Sequence, residues 1–308
     1  MFVATKIRIF CYLRSVILSG KELSDRLKAG MAREVATFPS RYGRVPHLAV
    51  LLVGDDPASV TYVRNKARAS EKIGIRNTTI TLPATTSEDE LLGRIAALND
   101  DPDVDGILVQ LPLPPHIDEL KAIKAIAREK DVDGFHPENV AALWRRRTEP
   151  EENPQYCVPC TPRGIVRLIR EAGVRIEGRR AVVIGRSNIV GLPISKLLLN
   201  ENATVTICHS RTVGLGEITR EADILVVAIG DPEFIKGDMV KEGAVVIDVG
   251  INRRPDGTLC GDVDFKEVAP RASVITPVPG GVGPMTICML MENTIDCFIN
   301  RENSKLER

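Results

Sequence analysis

The chain has 308 residues, which is enough for about two domains of ordinary size. Its 41 basic and 41 acidic residues cancel, so the charge balance does not suggest a nucleic acid or an anionic membrane surface as partner. No apolar run reaches the length of about 18 residues that a membrane-spanning helix needs. We therefore expect a globular protein whose important basic residues are local to a site.

The first twenty residues contain Lys6, Arg8 and Arg14 but no acid, and they end in an apolar stretch. Such a segment is compatible with a weak organellar transit peptide, and equally with an extension that has no targeting role. We therefore expect a cytoplasmic protein, with a mitochondrial location as the alternative.

The chain has 7 cysteines, spread without the framework of a secreted protein, which favours a reducing compartment. Cys157 and Cys160 have the spacing of a redox or zinc motif. A zinc site needs a second pair of ligands, and the four histidines show no suitable spacing. A redox pair is expected at the start of a helix that follows a strand, but this one follows a polar stretch. We interpret the two cysteines as unconnected and expect no metal site.

Short apolar runs alternate with helical patterns along most of the chain, which predicts an α/β protein with a parallel sheet in each half. The boundary is expected in the charged, proline-bearing region 144–162. The predicted domains are therefore residues 1–158 and 159–284, with a final helix, 285–308, packing back on the first domain. The predicted strands are residues 47–53, 78–82, 106–110, 181–184, 204–208, 224–229, 244–249 and 274–277.

A helix is predicted after the first of these strands, because an acid and a proline at Asp56 and Pro57 form a strong start signal. A step of 100° per residue places Lys66 as the only basic residue on the inward arc. A lysine on that face loses solvation, which favours a role in proton transfer. The alternative is a lysine whose stem is buried and whose head reaches solvent. The other members of the arc are Tyr62, Val63, Ala67, Ser70 and Ile73.

Two further segments place polar groups after predicted strands. Gln110 ends the strand in VDGILVQLPLPP, and a polar amide there points at the crevice where α/β proteins bind ligands. Asp133 precedes a glycine turn in DVDGFH, where an acid commonly caps its own backbone. His136 and His209 are possible acids or bases, although a structural role is favoured for each.

The stretch GRSNIVG, residues 185–191, follows a predicted buried strand and opens a predicted helix. This arrangement presents backbone N–H groups and a helix dipole to a phosphate. The next predicted strand ends in His209, Ser210 and Arg211, where an NAD-binding protein usually carries an acid for the ribose 2′-hydroxyl. These residues and Arg186 suit a 2′-phosphate, so the pattern favours NADP over NAD. The alternative is a structural turn.

Six motifs occur in one order: YVRNK, VQLPLP, KDVDGF, PCTP, GRSNIVG and PVPGGVGPMT. With them the chain resembles the bifunctional methylenetetrahydrofolate dehydrogenase/methenyltetrahydrofolate cyclohydrolase family over roughly residues 18–297. The departures are a longer, charged connection at 144–155 and an extension of about sixteen residues at the start. PCTP occurs in the family without a redox pair, which agrees with two unconnected cysteines.

The resemblance implies a folate-binding domain and a Rossmann-like NADP-binding domain that face each other across a cleft. By position, Lys66 matches the family's catalytic lysine, Gln110 the residue that orients it, and Tyr62 the ring that packs on folate. Asp133 matches the acid that binds the pterin ring. Together these four are the predicted catalytic residues.

The remaining predicted contacts also follow from the resemblance, as does a homodimer. The implied substrate-binding residues are Ser59, Tyr62, Val109, Gln110, Leu111, Pro112, Asp133, Pro279, Gly280, Gly283 and Thr286. The implied cofactor-binding residues are Thr161, Gly185, Arg186, Ser187, Val190, Gly191, His209, Ser210, Arg211 and Ile251.

The implied activity is oxidation of 5,10-methylenetetrahydrofolate with NADP, followed by hydrolysis of the methenyl product to 10-formyltetrahydrofolate. One alternative is a monofunctional, NAD-dependent dehydrogenase. Lys66 and Gln110 together, and the basic ending Ser210-Arg211, count against it. A second alternative is a folate- or nucleotide-binding protein without catalytic activity. Loss of Lys66 or of the glycine turn would favour that alternative, but this chain retains both.

Overall fold

A computed structural model describes residues 15–145 and 156–306. The helices are α1 Gly20–Val35, α2 Phe38–Tyr42, α3 Pro57–Ile73, α4 Glu88–Asp100, α5 Glu119–Ala125, α6 Pro137–Trp144, α7 Cys160–Glu171, α8 Gly191–Asn200, α9 Leu215–Thr219, α10 Phe265–Val268 and α11 Val282–Leu306. The strands are β1 Val16–Ile17, β2 His47–Val53, β3 Arg76–Leu82, β4 Gly106–Val109, β5 Arg180–Ile184, β6 Thr204–Cys208, β7 Ile224–Val227, β8 Val245–Asp248, β9 Asn252–Arg253, β10 Leu259–Cys260 and β11 Val274–Ile275.

The first half forms a parallel sheet in the order β3-β2-β4, with α3 and α4 as the crossovers. Every residue of the central strand β2 is buried, as expected for a strand covered on both faces. Parallel pairing brings the carboxyl ends of β2 and β4 to one edge, so the start of α3 and Gln110 lie close together.

The second half forms a parallel sheet in the order β1-β11-β8-β7-β5-β6. The α/β fold predicted from the sequence is confirmed, although several predicted strands extend one or two residues beyond the observed ones. The sequence pattern did not reveal β1 or the antiparallel β9–β10 hairpin, because two residues are too short to show a period. Since β1 pairs with β11, residues 16–17 join the second sheet although the predicted boundary assigns them to the first domain.

Helix α11 connects the two halves. It begins at Val282, three residues before the predicted start, and packs on α7 as well as on α1 and α3. Phe298 stacks on Phe38, with 5.2 Å between ring centroids, in a buried apolar cluster that contains residues of both sheets. The helix therefore packs on both halves, more broadly than the sequence predicted. The division at residues 158 and 159 stays a prediction.

Within the described residues, no helix combines the length and apolarity needed to cross a bilayer. Six cysteines lie in the described part of the chain, all buried as free thiols. Cys157 contacts Cys297 rather than Cys160, with 3.3 Å between the sulfur atoms. The basic segment 1–14 and most of the charged connection, residues 146–155, lie outside the described residues.

Candidate active site in the interdomain cleft

Helix α3 presents the first group of site residues. Its N-cap Asp56 accepts a hydrogen bond from the Ser59 backbone N–H at 2.8 Å, and Pro57 occupies the first turn. The inward arc predicted from the sequence holds in outline, since Lys66 is only 8% exposed. Ala69 is also buried and lies outside the predicted arc, whereas Ala67 is half-buried.

Lys66 and Gln110 are brought together, as the family resemblance implied. Lys66 Nζ donates to Gln110 Oε1 at 2.9 Å. Gln110 Nε2 donates to the Leu111 carbonyl at 2.6 Å, which fixes the amide so that its oxygen faces the lysine. The Leu111–Pro112 peptide bond is cis. The lysine head is therefore held inside the cleft by a neutral acceptor.

The two acids of the DVDGFH turn have separate roles. Asp131 is the acid that caps the turn, because its carboxylate accepts from the backbone N–H of Gly134 at 3.1 Å and of His136 at 2.7 Å. Asp133 makes no such bond within the described residues; its one recorded contact is a thiol bond from Cys160 at 3.9 Å. The turn-capping interpretation therefore applies to Asp131, and Asp133 is left to line the cleft. His136 caps α6 through Nδ1, which is a structural role.

Asp133 is half-buried and lines the cleft. Burial raises the pKa of Asp133 to about 6, and the negative charge of Asp131 also raises it, while Lys66 and the Cys160 thiol lower it. Burial likewise raises the pKa of Tyr62. A carboxyl with a raised pKa beside a lysine, in a cleft, is the type of group found in functional sites.

These residues line a cavity of about 360 Å³. Its lining contains nine of the predicted site residues: Ser59, Tyr62, Lys66, Val109, Gln110, Leu111, Pro112, Asp133 and Thr286. Four further residues line it that sequence reasoning did not select: Asp56, Ala58, Phe135 and Ile189. Phe135 and Ile189 belong to the DVDGFH and GRSNIVG motifs, so motif membership was a usable signal for both.

The remaining predicted substrate residues lie in a neighbouring cavity of about 180 Å³. It is lined by Pro279, Gly280 and Gly283 together with Ile251, which was predicted to contact the cofactor. Thr286 borders the first cavity and shares a hydrogen bond of 2.9 Å with Thr161, a predicted cofactor residue. The two groups of predicted residues therefore meet at the start of α11.

The glycine turn follows β5 and opens α8, as predicted. Gly185 has φ 120°, and a Cβ there would lie 2.2 Å from the Ala228 carbonyl oxygen, so only glycine fits. Ser187 Oγ accepts from the N–H groups of Val190 and Gly191 at 3.2 and 3.3 Å. The turn thus packs closely on the loop after β7 and opens α8, which is the strand–turn–helix arrangement predicted for a dinucleotide-binding turn.

The residues predicted to hold a 2′-phosphate lie at adjacent strand ends. Ile184 and Cys208 are register partners, and the Gly185 N–H donates to the Cys208 carbonyl at 2.9 Å, so Arg186 is level with Ser210. Ser210, Arg186 and Arg211 are exposed, and in the described part of the chain neither guanidinium has a recorded side-chain partner. His209 Nδ1 accepts from the Arg211 backbone N–H at 3.1 Å, so this ring shapes the turn.

Two family models match the chain: the catalytic domain of tetrahydrofolate dehydrogenase/cyclohydrolase over residues 18–133, and the NAD(P)-binding domain of the same family over residues 159–302. The chain belongs to the tetrahydrofolate dehydrogenase/cyclohydrolase family. The resemblance stated from the six motifs is therefore confirmed.

Individual relatives agree with the family match. The bifunctional protein FolD of Campylobacter hominis is 55% identical over 92% of this chain and 98% of its own length. The crystal structure of the bifunctional dehydrogenase/cyclohydrolase FolD from Campylobacter jejuni has a TM-score of 0.89 at 48% identity, covering 93% of this chain and 99% of that one. The Trypanosoma brucei FolD, solved with NADP and an inhibitor, has a TM-score of 0.88 at 42% identity, covering 93% of this chain and 98% of that one.

Proposed function

We propose that this enzyme carries out both reactions of its family in the cleft that Lys66 and Gln110 line. It oxidises 5,10-methylenetetrahydrofolate to the 5,10-methenyl form with NADP, and it hydrolyses the methenyl form to 10-formyltetrahydrofolate. The observation that carries this function is the 2.9 Å bond between Lys66 Nζ and Gln110 Oε1 inside the 360 Å³ cavity. The bifunctional, NADP-dependent interpretation is favoured over the monofunctional NAD-dependent one.

In the hydrolytic step, water adds to the methenyl carbon and loses a proton, which gives a carbon that bears a hydroxyl group. The bond from that carbon to N5 then breaks as the hydroxyl gives up its proton to form the formyl C=O. N5 gains a proton, so one proton is released overall. Lys66 Nζ is the proton-transfer group that α3 places in the cavity. The amide oxygen of Gln110 faces the lysine and accepts its hydrogen bond. Gln110 therefore holds the Lys66 ammonium group without adding a negative charge. The glutamine is therefore a positioning residue for the lysine.

Folate binding is assigned to the same cavity. Tyr62 offers a ring on which the flat pterin can pack, and Ser59 lies one turn before it on α3. Asp131 caps the turn, so the carboxylate of Asp133 is not needed for it. Its two acceptor oxygens can bind a ring N–H and the amino group of the pterin. Val109, Leu111 and Pro112 form the wall beside Gln110, where the strand ends.

NADP supplies a hydride acceptor when it is bound. Gly185, Ser187, Val190 and Gly191 would hold its phosphates at the start of α8, and Arg186, Ser210 and Arg211 would hold the 2′-phosphate. Thr161, His209 and Ile251 complete the proposed cofactor contacts. Pro279, Gly280, Gly283 and Thr286 would lie beside both molecules.

The test of this function is Lys66→Met, assayed for NADPH formation and for methenyltetrahydrofolate absorbance in the same cuvette. Ring opening should fall by about 10²- to 10⁴-fold, the usual contribution of a proton-transfer group. The fold should survive, because methionine is a flexible, apolar replacement for the lysine stem.

Lys72→Met is the matched control, since Lys72 is an exposed lysine in the last turn of the same helix. It should hydrolyse the methenyl substrate like wild type. Wild-type ring opening by the Lys66 variant would remove this lysine from the mechanism.

The enzyme is also proposed to be a homodimer. The supporting observation is the free edge of the second sheet at β6, where Leu199, Ile207 and Val213 are exposed apolar residues. A row of unpaired backbone N–H and C=O groups with apolar neighbours is a ready template for a second copy of the chain.

Light scattering should give twice the 33.7 kDa chain mass, and Ile207→Asp should shift the mass towards the monomer. A dimer that Ile207→Asp leaves intact would place the interface elsewhere.

A cytoplasmic location is proposed as well, with the mitochondrion as the alternative. Buried free thiols at the six described cysteines support a reducing compartment. Fractionation of the source cells, together with the intact mass of the recovered protein, decides between the two. Recovery from mitochondria with the basic N-terminal segment removed would establish the alternative.

A further inference from the structure

Two buried acids, Asp248 and Asp262, lie beneath the loops that follow β7 and β8. Asp248 ends β8 and is 4% exposed, and Asp262 follows the β9–β10 hairpin and is 0% exposed. The partners recorded for their carboxylates, within residues 15–145 and 156–306, are uncharged N–H groups. Burying a carboxyl group without a cation is costly, and burial raises the pKa of Asp248 to about 7. The hydrogen bonds that these two side chains accept offset part of that cost and tie the surrounding loops to them.

Asp248 joins the loop after β8 to the segment after the hairpin. Its Oδ1 accepts from the N–H groups of Gly250 at 3.0 Å and Asp262 at 2.9 Å, and its Oδ2 accepts from Val263 at 3.0 Å. A Cβ at Gly261 would lie 1.8 Å from Oδ2, so the backbone encloses the carboxylate. The carboxylate therefore has one position.

Asp262 joins the loop after β7 to the residue that follows Ile251. Its Oδ2 accepts from the N–H groups of Ile229 at 2.8 Å and Gly230 at 3.0 Å. Its Oδ1 accepts from Asn252 Nδ2 at 2.8 Å. Ile251, which is 53% exposed, is thus held between Gly250, a partner of Asp248, and Asn252, a partner of Asp262.

The position of these loops fixes what they can contact. The proposed phosphate and 2′-phosphate residues lie at the ends of β5 and β6, so the other end of an extended dinucleotide runs towards the ends of β7, β8 and β11. The 180 Å³ cavity lies there, and its lining includes Ile251, Pro279 and Gly280 as well as Asp248 itself. The loop that the two acids hold is therefore a wall at the nicotinamide end.

We propose that Asp248 and Asp262 are positioning residues for hydride transfer, because they fix the Ile251 loop against which the nicotinamide ring is aligned. This inference rests on the NADP site proposed above. Hydride transfer depends on alignment, and an error of about 1 Å can cost about 10²-fold in rate. Hydrolysis relies on Lys66 and Gln110 in the other cavity, so the acids are not needed for it.

The experiment is Asp248→Asn. Asparagine has one acceptor oxygen, so its amino group faces a backbone N–H whichever way the amide turns. The kcat of the dehydrogenase should fall by about 10²-fold. Cyclohydrolase activity should stay near wild type, as should the affinity for adenosine 2′,5′-bisphosphate, which carries the adenosine end of the cofactor but no nicotinamide. Deuterium at the methylene carbon should slow the variant more than wild type, since hydride transfer becomes limiting.

Asn252→Ala is a second, milder variant, because Asn252 is only partly buried and makes one of the bonds to Asp262. Asn252→Ala should also lose dehydrogenase activity selectively, but by a smaller factor than Asp248→Asn. If Asp248→Asn does not fold, Asn252→Ala tests the proposal instead. Asp264→Asn is the matched control. Asp264 caps α10 and pairs with the partly exposed Lys236, and asparagine caps a helix equally well.

An equal loss of both activities in Asp248→Asn and Asn252→Ala would overturn the proposal, because it is the signature of a general structural role. Unchanged dehydrogenase kcat would overturn it too. A wild-type enzyme without NADP-dependent oxidation would instead reject the cofactor site on which the inference rests.

Discussion

At the scale of single residues, two acids in one turn show how environment assigns a role. Asp131 accepts three hydrogen bonds, from Gly134, His136 and Asn139, and so its charge is satisfied locally. Asp133 lies two residues later, borders the cavity and has only a thiol contact of 3.9 Å recorded within the described residues. The same side chain is structural at one position and available to a ligand at the other.

Replacing Asp133 with asparagine should weaken both activities. Asparagine keeps the shape but exchanges one acceptor oxygen for a donor, leaving a mismatched contact to the pterin, which costs about 1 to 3 kcal/mol in folate binding. Steady-state kinetics with both substrates and a direct folate titration measure the effect. The affinity for NADP should stay near wild type. Normal folate binding with loss of hydrolysis alone would show that Asp133 transfers a proton instead.

The stability of the enzyme should also depend on the ionisation of Asp133. Its pKa in the folded state is raised to about 6 from 3.8, so the folded state holds the proton more tightly than the unfolded state. Its contribution to the free energy of unfolding is then fully present below pH 4 or so and is lost as the pH rises through about 6. Between about pH 4 and pH 7, wild type should lose about 2 kcal/mol relative to Asp133→Asn.

Urea unfolding at several pH values measures this difference. A difference that does not change with pH would show that Asp133 ionises alike in both states.

Among the elements, the ends of two adjacent strands carry the residues that we propose select NADP. Register pairing of Ile184 with Cys208 sets the turn after β5 beside the turn after β6, so one turn supplies Arg186 and the other Ser210 and Arg211. Neither turn alone would enclose a 2′-phosphate. The parallel pairing of β5 and β6 is what brings the two short motifs together in the proposed 2′-phosphate site.

Arg211→Ala should therefore reduce the preference for NADP over NAD. A hydrogen bond between an arginine and a phosphate contributes about 1.5 to 3 kcal/mol, so the ratio of kcat/KM for the two cofactors should fall by about 10- to 100-fold. Arg175→Ala is the control, because Arg175 is an exposed residue of the same domain that pairs with Glu177. An unchanged ratio in the Arg211 variant would assign the phosphate to other residues.

At the scale of the whole molecule, α11 is held to the first sheet by a buried ion-pair network. Asp105 is 0% exposed and accepts from Arg44 at 2.7 and 2.8 Å, from the His47 backbone N–H at 3.0 Å and from Arg301 at 2.8 Å. Glu302 on α11 binds Arg44 as well. These contacts join three distant parts of the chain at the amino end of the first sheet, opposite the carboxyl-end edge that carries the active site.

Asp105→Ala should destabilise the folded enzyme by about 3 kcal/mol, the lower end of the cost of breaking a buried ion pair, because both arginines keep some exposure. Asp103→Ala changes an exposed acid two residues away and should have little effect. Thermal and urea unfolding of both variants measure the two costs. If the two variants are equally stable, the network makes no net contribution to the free energy of unfolding.

The α/β class, the long strands and the motifs of the site could be predicted from local patterns in the sequence. Strand β2 was recognisable because a strand buried on both faces is a continuous apolar run, and α3 because its cap, proline and apolar arc agree. Lys66 and Gln110 were found for the same reason, since a helix face and a strand end fix where a side chain points. Family resemblance supplied the role of Asp133.

Which residues meet in space could not be predicted from local patterns, because it depends on long-range packing. The pairing of Cys157 with Cys297 joins residues 140 apart, and sequence spacing had offered only Cys160. The addition of β1 to the second sheet and the packing of α11 on both halves depend on long-range contacts that leave no local period. Asp248 and Asp262 escaped notice likewise, because burial turns two ordinary acids into the anchors of a loop, and burial is a property of the folded chain.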